Sequence, residues 1–270
     1  MNGARAYGKN LKLGWRKVAN EEHLKLIKEA INKKDFTIWN VWRKENPDIK
    51  PDLRQANFSK SDIVRANLSS AKLDNTIFTG ANLSEADLSG ADLLSAHLNG
   101  VNLFKVDLSK GNLYGANLFD ANLFGANLSE ADLRAAKFHR ADLSEAILYG
   151  SNLFEADLSD GNLYRANLQG ANLYGANFAR AVLRGANLAR ADISGIKLRG
   201  SDLYGANLSD VDFLGVDFSG TTDFVELMRF QIRSSANWER AFYSPEILES
   251  LGLPPDHNES LQKELEESSQ

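Results

Sequence analysis

The sequence predicts an all-β solenoid in which the chain turns a corner every five residues. Leu, Phe or Ile recurs at every fifth position from Leu53 to Phe218, which gives 34 consecutive repeat centres in one unbroken register. A period of five matches neither the 3.6 residues of a helical turn nor the two-residue alternation of a strand. Such short units must bury their apolar side chains against their neighbours, as in other repeat proteins. We therefore expect the centres to point into one continuous core.

The other repeat positions also favour a tightly turning coil. Ala stands two residues before the centre in 22 of the 34 units, where a narrow coil has little room for a second inward side chain. Asn (15 units) or Asp (12 units) stands directly before the centre, and both side chains bond nearby backbone groups in turns. Gly closes 14 units, which suits corners that need unusual backbone angles.

Repeat units such as Ala116–Leu118 (Ala-Asn-Leu) and Ala131–Leu133 (Ala-Asp-Leu) resemble the A(D/N)Lxx motif of pentapeptide repeat proteins. The resemblance covers residues 51–220. It implies a right-handed quadrilateral parallel β-helix with four pentapeptides per coil. The repeat would then form about 8.5 coils and a rod roughly 40 Å long, at the ladder spacing of about 4.8 Å per coil.

The phenylalanine centres indicate four sides independently of the resemblance. If a coil contains four pentapeptides, every fourth centre lies on the same side of the solenoid. Phe213 lies on a different side from the other phenylalanine centres. Those five share one side: Phe58, Phe78, Phe138, Phe178 and Phe218.

We divide the chain into five segments on composition and pattern. They are a basic, disordered extension (1–19), an N-terminal helical cap (20–50), the repeat (51–220), a C-terminal helical cap (221–253) and a polar tail (254–270) that we expect to fray. Residues 1–50 contain 12 Lys or Arg and 6 Asp or Glu, whereas residues 221–270 contain 4 and 10. The chain is therefore basic at one end and acidic at the other.

Helix signals support both caps. Asn20 and Asp35 are placed to cap helices over residues 20–33 and 35–46. Residues 224–243 have an amphipathic helical pattern, and Ser244 and Gly252 bound a further short helix.

The flanks of the repeat also resemble those of cyanobacterial pentapeptide proteins, at Trp39–Arg43 and Asn46–Leu53. Such proteins often begin near the segment that is Ala19–Leu24 here. We therefore expect residues 1–17 to be an upstream extension.

The sequence predicts no catalytic, cofactor or metal site. It contains no Cys, and its four histidines have no paired ligand spacing: His97 and His139 would lie two coils apart. Most carboxylates are part of the repeat, and the glycines follow the repeat spacing rather than that of a phosphate-binding loop. No apolar run reaches the ~18 residues of a membrane span.

Outward-pointing aromatic residues are the candidate recognition groups, because they follow the centre at positions where the repeat allows choice. We expect two columns that run along the solenoid, each either stabilising neighbouring coils or binding a partner. The first contains Phe104, Phe124, Tyr164 and Tyr204, and the second contains Tyr114, Phe154 and Tyr174.

We interpret the chain as a non-enzymatic scaffold or regulatory module that binds another protein, with no cofactor and no direct contact with nucleic acid or membrane. The resemblance suggests one alternative, a DNA-mimic rod that acts on gyrase, as in quinolone-resistance members of the family. The repeat has a net charge of only −5 and a basic band over residues 161–200, which disfavours DNA mimicry. An enzyme is the second alternative. We expect the protein to be cytoplasmic. We also expect a monomer, because caps at both ends would prevent end-to-end stacking.

Overall fold

The computed structural model describes residues 19–221, 238, 241–243 and 245–268. Parallel β-bridges join each bridged residue to the one four pentapeptides later, from Asp52–Lys72 at the start of the repeat to Lys197–Asp217 near its end. Each bridge is an isolated residue pair, so the described part of the solenoid contains no strand longer than one residue. One coil of the solenoid therefore consists of four pentapeptides.

The backbone of each coil is hydrogen bonded to the coils before and after it. The N–H of a centre donates to a carbonyl of the following coil, as Leu68 does to Asp87 at 2.7 Å. The N–H of the preceding Asn or Asp position donates to a carbonyl of the coil before, as Asp87 does to Ala66 at 3.0 Å. This ladder satisfies buried backbone groups that would otherwise be costly to remove from water.

The repeat centres form the core, which confirms their predicted inward direction. Each of the 34 centres is at most 2% exposed. The Phe58 and Phe78 rings stack one coil apart, with centroids separated by 5.4 Å. Most residues two before a centre, such as Ala116, are equally buried, so the core fills the solenoid from end to end.

The corners explain the last position of each pentapeptide. Every fifth residue from Gln55 to Gly220 has a positive φ, whether or not it is glycine. Before many corners, the Asn or Asp side chain accepts a hydrogen bond from the N–H two positions later, as Asn112 does from Tyr114 at 3.1 Å. The left-handed backbone suits Gly, and at other residues it costs about 1 kcal/mol.

Two helices precede the solenoid. Helix α1 spans Glu21–Lys33, and the Asn20 side chain caps it by accepting from the Glu22 and His23 N–H groups. Helix α2 spans Thr37–Glu45, so it begins later than we expected. The reason is that the Asp35 carboxylate accepts from the Thr37 N–H at 2.8 Å and places the first turn after Phe36.

These helices bond to the first coil, which has no preceding coil to pair with. The Asn20 N–H donates to the Asp52 carbonyl at 2.9 Å. The Trp39 indole N–H donates to the Asn67 carbonyl at 2.7 Å, and the Asn67 N–H donates to Asn40 Oδ1 at 2.8 Å. Polar groups of the helical segment thus replace a missing coil on two sides of the solenoid.

After the repeat, the last residues of the helix that we predicted over 224–243 are not helical. Residues 222–237 lie outside the described part of the chain, but Phe242 forms a parallel bridge with Asp217. Ala241 and Tyr243 are fully buried, in the positions of a small inward residue and a centre. Residues 241–243 are therefore extended and continue the ladder, because Phe242 exchanges backbone hydrogen bonds with Val216 and Phe218.

Two helices follow this added unit. Helix α3 spans Pro245–Leu251, within the short helix that we predicted. Helix α4 spans His257–Ser268, so part of the tail that we expected to fray is helical. The Asn258 side chain fixes the start of α4 by bonding both the N–H and the carbonyl of Tyr243. The expectations for residues 1–18 lie outside the described residues, and no described helix is long and apolar enough to cross a membrane.

Candidate protein-binding faces

The two predicted aromatic columns lie on different sides of the solenoid, since their residues follow the centres of different pentapeptides. We call the first column the Tyr164 face; it comprises residues 104, 124, 144, 164, 184 and 204. We call the second the Tyr114 face; it comprises residues 94, 114, 134, 154 and 174. The spacing of the bridges brings the members of each column onto successive coils.

In the N-terminal half of the Tyr164 face, the two phenylalanine rings pack on each other. The Phe104 and Phe124 rings stack with centroids 5.8 Å apart and planes 12° apart, and both are half-buried. The Lys105 ammonium lies 5.2 Å from the Phe104 ring centroid. This arrangement matches the stabilising role that aromatic pairs have between neighbouring strands.

The C-terminal half of the Tyr164 face is open. Tyr164 and Tyr204 are 38% and 46% exposed. A guanidinium covers each ring: Arg165 lies 5.0 Å from the Tyr164 centroid and Arg184 lies 4.8 Å from the Tyr204 centroid. The buried Ser144 separates this half from the phenylalanine pair.

The Tyr114 face is also open at two positions. Tyr114 and Tyr174 are 43% and 49% exposed, and Tyr174 stacks on Phe154 with centroids 5.6 Å apart. The Arg134 guanidinium lies 5.3 Å from the Tyr114 centroid and binds both carboxylate oxygens of Asp132, at 2.8 and 2.7 Å. The hydrogen bond from Arg134 lowers the pKa of the Asp132 carboxyl below its ordinary value.

The structure also exposes apolar residues that belong to neither predicted aromatic column. Leu94 extends the Tyr114 face by one coil, and Ile147 and Tyr149 are exposed on a third side. The sequence indicates exposure of Ile147, because this residue occupies a position where the repeat otherwise favours Asn or Asp.

His139 on the solenoid surface is held by contacts to its neighbours. His139 Nδ1 lies 2.9 Å from Ser159 Oγ, and Ser159 donates its proton to Asp157 at 2.6 Å. The hydroxyl proton is thus directed at a carboxylate, and the His139 ring stacks on Phe119. Among the described residues, no group of His, Asp and Glu has the geometry of a metal site.

Charged corner residues pair between successive coils. Arg140 binds Asp120 at 3.0 Å, and Arg180 binds Asp160 at 2.6 Å. The hydrogen bond from Arg180 lowers the pKa of the Asp160 carboxyl. Along the described solenoid, no outward column has acidic residues on more than two successive coils, so the acids form no continuous stripe.

Comparison with known protein families identifies the repeat. The sequence model of pentapeptide repeats matches in eight copies, over residues 50–80, 81–120, 121–160, 162–200 and 186–222. The chain belongs to the pentapeptide repeat family. The predicted resemblance is therefore confirmed, and membership implies the right-handed quadrilateral β-helix, in agreement with bridges between every fourth pentapeptide.

Solved structures of other pentapeptide repeat proteins are similar to this one. HetL, which is involved in heterocyst differentiation regulation in the cyanobacterium Nostoc sp. strain PCC 7120, is 25% identical; the match covers 76% of this chain and 93% of HetL, with a TM-score of 0.42. Rfr23 from the cyanobacterium Cyanothece 51142 is 26% identical, with 67% and 95% covered and a TM-score of 0.18.

QnrB1, a plasmid-mediated fluoroquinolone resistance protein, is 21% identical over 65% of this pentapeptide repeat protein and 95% of its own chain, with a TM-score of 0.34. A comparison with curated proteins finds no match.

Proposed function

We propose that this pentapeptide repeat protein is a non-enzymatic scaffold or regulatory module that presents the Tyr164 and Tyr114 faces to another protein. The observation that carries the proposal is the set of exposed tyrosines held in register on a hydrogen-bonded frame. Tyrosine is enriched among the residues that dominate protein-binding energies. The proposed partner-binding residues are those predicted from the sequence: Phe104, Phe124, Tyr164, Tyr204, Tyr114, Phe154 and Tyr174.

The frame supports this role because it limits the entropy lost on binding. The backbone at Tyr164 is held by two hydrogen bonds: the Glu145 N–H of the preceding coil donates to the Tyr164 carbonyl at 2.8 Å, and the Tyr164 N–H donates to Asn162 Oδ1 in its own pentapeptide at 3.2 Å. A side chain on such a backbone has only its own rotamers to order when a partner binds.

The proposal is tested by partner capture from the native host with purified, immobilised variants. We expect Tyr114→Ser/Tyr174→Ser or Tyr164→Ser/Tyr204→Ser to reduce the quantity of a captured protein at least fivefold, at an unchanged unfolding temperature. Tyr149→Ser is the matched control, because Tyr149 is as exposed as Tyr174 but belongs to neither face. If both double variants capture as much protein as the control, the aromatic faces do not bind the partner.

The alternative of a DNA mimic that acts on gyrase has weaker support from the charges. Mimicry of a duplex needs a row of unpaired negative charges along the rod. Here carboxylates such as Asp120 and Asp160 are paired with arginines one coil away. A gyrase supercoiling assay separates the two functions, since inhibition at micromolar protein would favour the mimic.

We also infer that the repeat forms about 8.5 coils, closed by helical caps at both ends, and that the protein is a cytoplasmic monomer. The bridge spacing supports the coil number, and the bonds from Asn20 and Trp39 to the first coil support the N-terminal cap. Light scattering that gives a dimer mass independent of concentration would contradict the monomer.

A further inference from the structure

We propose that the open half of the Tyr164 face binds an acidic, carboxylate-rich segment of the partner protein. The site consists of Tyr164, Arg165, Arg184 and Tyr204. This inference rests on the proposed function and specifies the chemistry of the partner at one of its two faces.

The two arginines of this site are oriented by the tyrosine rings. Each guanidinium lies over a ring, Arg165 over Tyr164 and Arg184 over Tyr204, at 5.0 and 4.8 Å from the centroids. A stacked guanidinium uses its face and leaves the N–H groups at its edge free. Those N–H groups are the donors that bind carboxylates in a two-point geometry.

The donors of the site are largely unused within the described residues. Arg165 has no carboxylate partner there, and Arg184 has one weak ion pair, in which Nη1 lies 3.6 Å from Asp202. Gly185 and Gly205 occupy the next two corners of this side and place no side chain beside the guanidinium of Arg184.

A second arginine–tyrosine stack shows the contrast. Arg134 lies over Tyr114 at a similar distance, but its Nε and Nη2 both donate to Asp132 in its own pentapeptide. The guanidinium–ring distance is thus similar in both places, and the difference is whether an internal carboxylate already occupies the donors. This pair provides a matched control.

The charges around the site also favour an acidic partner. Lys197 and Arg199 lie on the adjacent side of the solenoid and have no acidic partner among the described residues. Residues 161–200 contain six Arg or Lys and one Asp. This excess of positive charge would draw in a negatively charged segment.

The geometry favours carboxylates over the bases of single-stranded nucleic acid. Binding of bases needs open aromatic faces on which successive bases stack. Here Arg184 stands between the two tyrosines in the column, and a guanidinium covers each ring. The two arginines are on adjacent coils, joined by the hydrogen bond from the Arg165 N–H to the Arg184 carbonyl at 2.9 Å.

An acidic helix matches that arrangement. Side chains four residues apart on a helix are about 5–6 Å apart at their Cβ atoms, close to the spacing of about 4.8 Å between coils. Carboxylates on one side of a strand are farther apart, at about 6.7 Å. A helix with Glu at every fourth position therefore presents successive carboxylates at a spacing similar to that of successive coils.

The test uses a fluorescein-labelled, alanine-based helical peptide with Glu at every fourth position, and its counterpart with Gln at the same positions. We expect the Glu peptide to bind the full chain at least tenfold more tightly than the Gln peptide, as measured by fluorescence anisotropy. Arg165→Gln and Arg184→Gln should each weaken binding of the Glu peptide about tenfold, the loss of one charged hydrogen-bonded contact. Arg134→Gln should change the affinity less than twofold.

The conservative variant Arg184→Lys separates two-point binding from charge alone, and we expect it to weaken binding at least threefold. Equal affinities for the Glu and Gln peptides, equal losses in Arg134→Gln and Arg184→Gln, or tighter binding of a thymidine oligonucleotide than of the Glu peptide would each overturn the proposal. If the peptides are not distinguished but partner capture still depends on Tyr164 and Tyr204, the proposed function stands without the acidic segment. If the Glu peptide binds as expected but partner capture is insensitive to both faces, the proposed function fails instead.

Discussion

Tyr243 stacks on Phe218 with ring centroids 5.6 Å apart and planes 5° apart. The two residues are five pentapeptides apart in the sequence, yet the geometry is that of two centres on successive coils. The Tyr243 hydroxyl also donates to the Trp238 carbonyl at 2.5 Å. The aromatic side of the core therefore ends on a residue from beyond the repeat.

We predict that this stack closes the C-terminal end of the core. Tyr243→Ala should lower the free energy of unfolding by about 3 kcal/mol, because a fully buried aromatic ring is lost and a cavity remains. Tyr243→Phe keeps the ring and loses one hydrogen bond, so its cost should be about 1 kcal/mol. Urea unfolding measures both values, and a Tyr243→Ala variant as stable as the wild type would exclude this role.

His23 should make the N-terminal end sensitive to acid. Its Nδ1 accepts from the Asp52 N–H at 3.0 Å, which requires the neutral ring, and burial lowers its pKa below 6.5. The folded state then holds the proton less tightly than the unfolded state. The contribution of the neutral His23 ring to the free energy of unfolding is therefore full above pH 6.5 and is lost as the pH falls below it.

The comparison of wild type with His23→Ala isolates this effect. The wild type should be the more stable protein at pH 7.5, and the difference in unfolding temperature should shrink towards pH 5. A difference that stays constant between these pH values would show that titration of His23 does not contribute.

Arg43 should be hard to replace with lysine. Its side chain is buried, and its two Nη atoms donate to the Ile49 carbonyl at 2.5 Å and to the Ser69 carbonyl at 3.0 Å. Burial lowers the pKa of the guanidinium. Arg43→Lys should lower the free energy of unfolding by about 2 kcal/mol, because a compact ammonium lacks the planar fork of donors that reaches both carbonyls.

The loss in Arg43→Lys should be visible in chemical denaturation. Lys44→Arg on the exposed side of α2 is a control and should change stability by less than about 0.5 kcal/mol. Equal effects of the two substitutions would show that the two-carbonyl contact of Arg43 is not important for stability.

Corner positions should prefer glycine. Ala135 has φ 54°, a conformation that is unfavourable for any residue with a Cβ atom. Ala135→Gly should therefore raise the free energy of unfolding by about 0.5 kcal/mol, once the greater freedom of glycine in the unfolded chain is subtracted.

The neighbouring Ala136 gives the opposite expectation. It is fully buried beside the core and has no positive φ, so Ala136→Gly should destabilise the protein by about 1 kcal/mol. Thermal unfolding of the two variants checks the signs, and a loss of stability in Ala135→Gly would contradict the corner argument.

The period of the sequence was sufficient to predict the solenoid core, because one rule decides the direction of every centre from Leu53 to Phe218. It was not sufficient at the C-terminal end. Residues 241–243 repeat the pattern of a small residue, an outward residue and an aromatic centre, but the run of centres stops at Phe218. One pentapeptide more than a coil separates Phe218 from Tyr243, so the spacing on which the prediction depended no longer applies.

For the candidate site, the sequence predicted which aromatic residues share a side but not how they are used. Phe104 and Phe124 pack on each other, whereas Tyr164 and Tyr204 are covered by arginines. The difference arises from how the side chains after the centres are oriented, on which a five-residue pattern carries no information. The same limit applies to Arg134 and Arg184, whose donors differ in availability although both follow a centre.

The spacing of the bridges by four pentapeptides has a consequence for insertions and deletions. Removal of one whole coil would shorten the rod and leave every later side chain on its original side. Removal of a single pentapeptide between Phe104 and Tyr164 would preserve the core but rotate everything downstream by a quarter turn, so that Phe104 and Tyr204 would no longer share a side. Insertion or deletion of repeats can therefore change the surface pattern in two ways, by length or by angle, without altering a residue type.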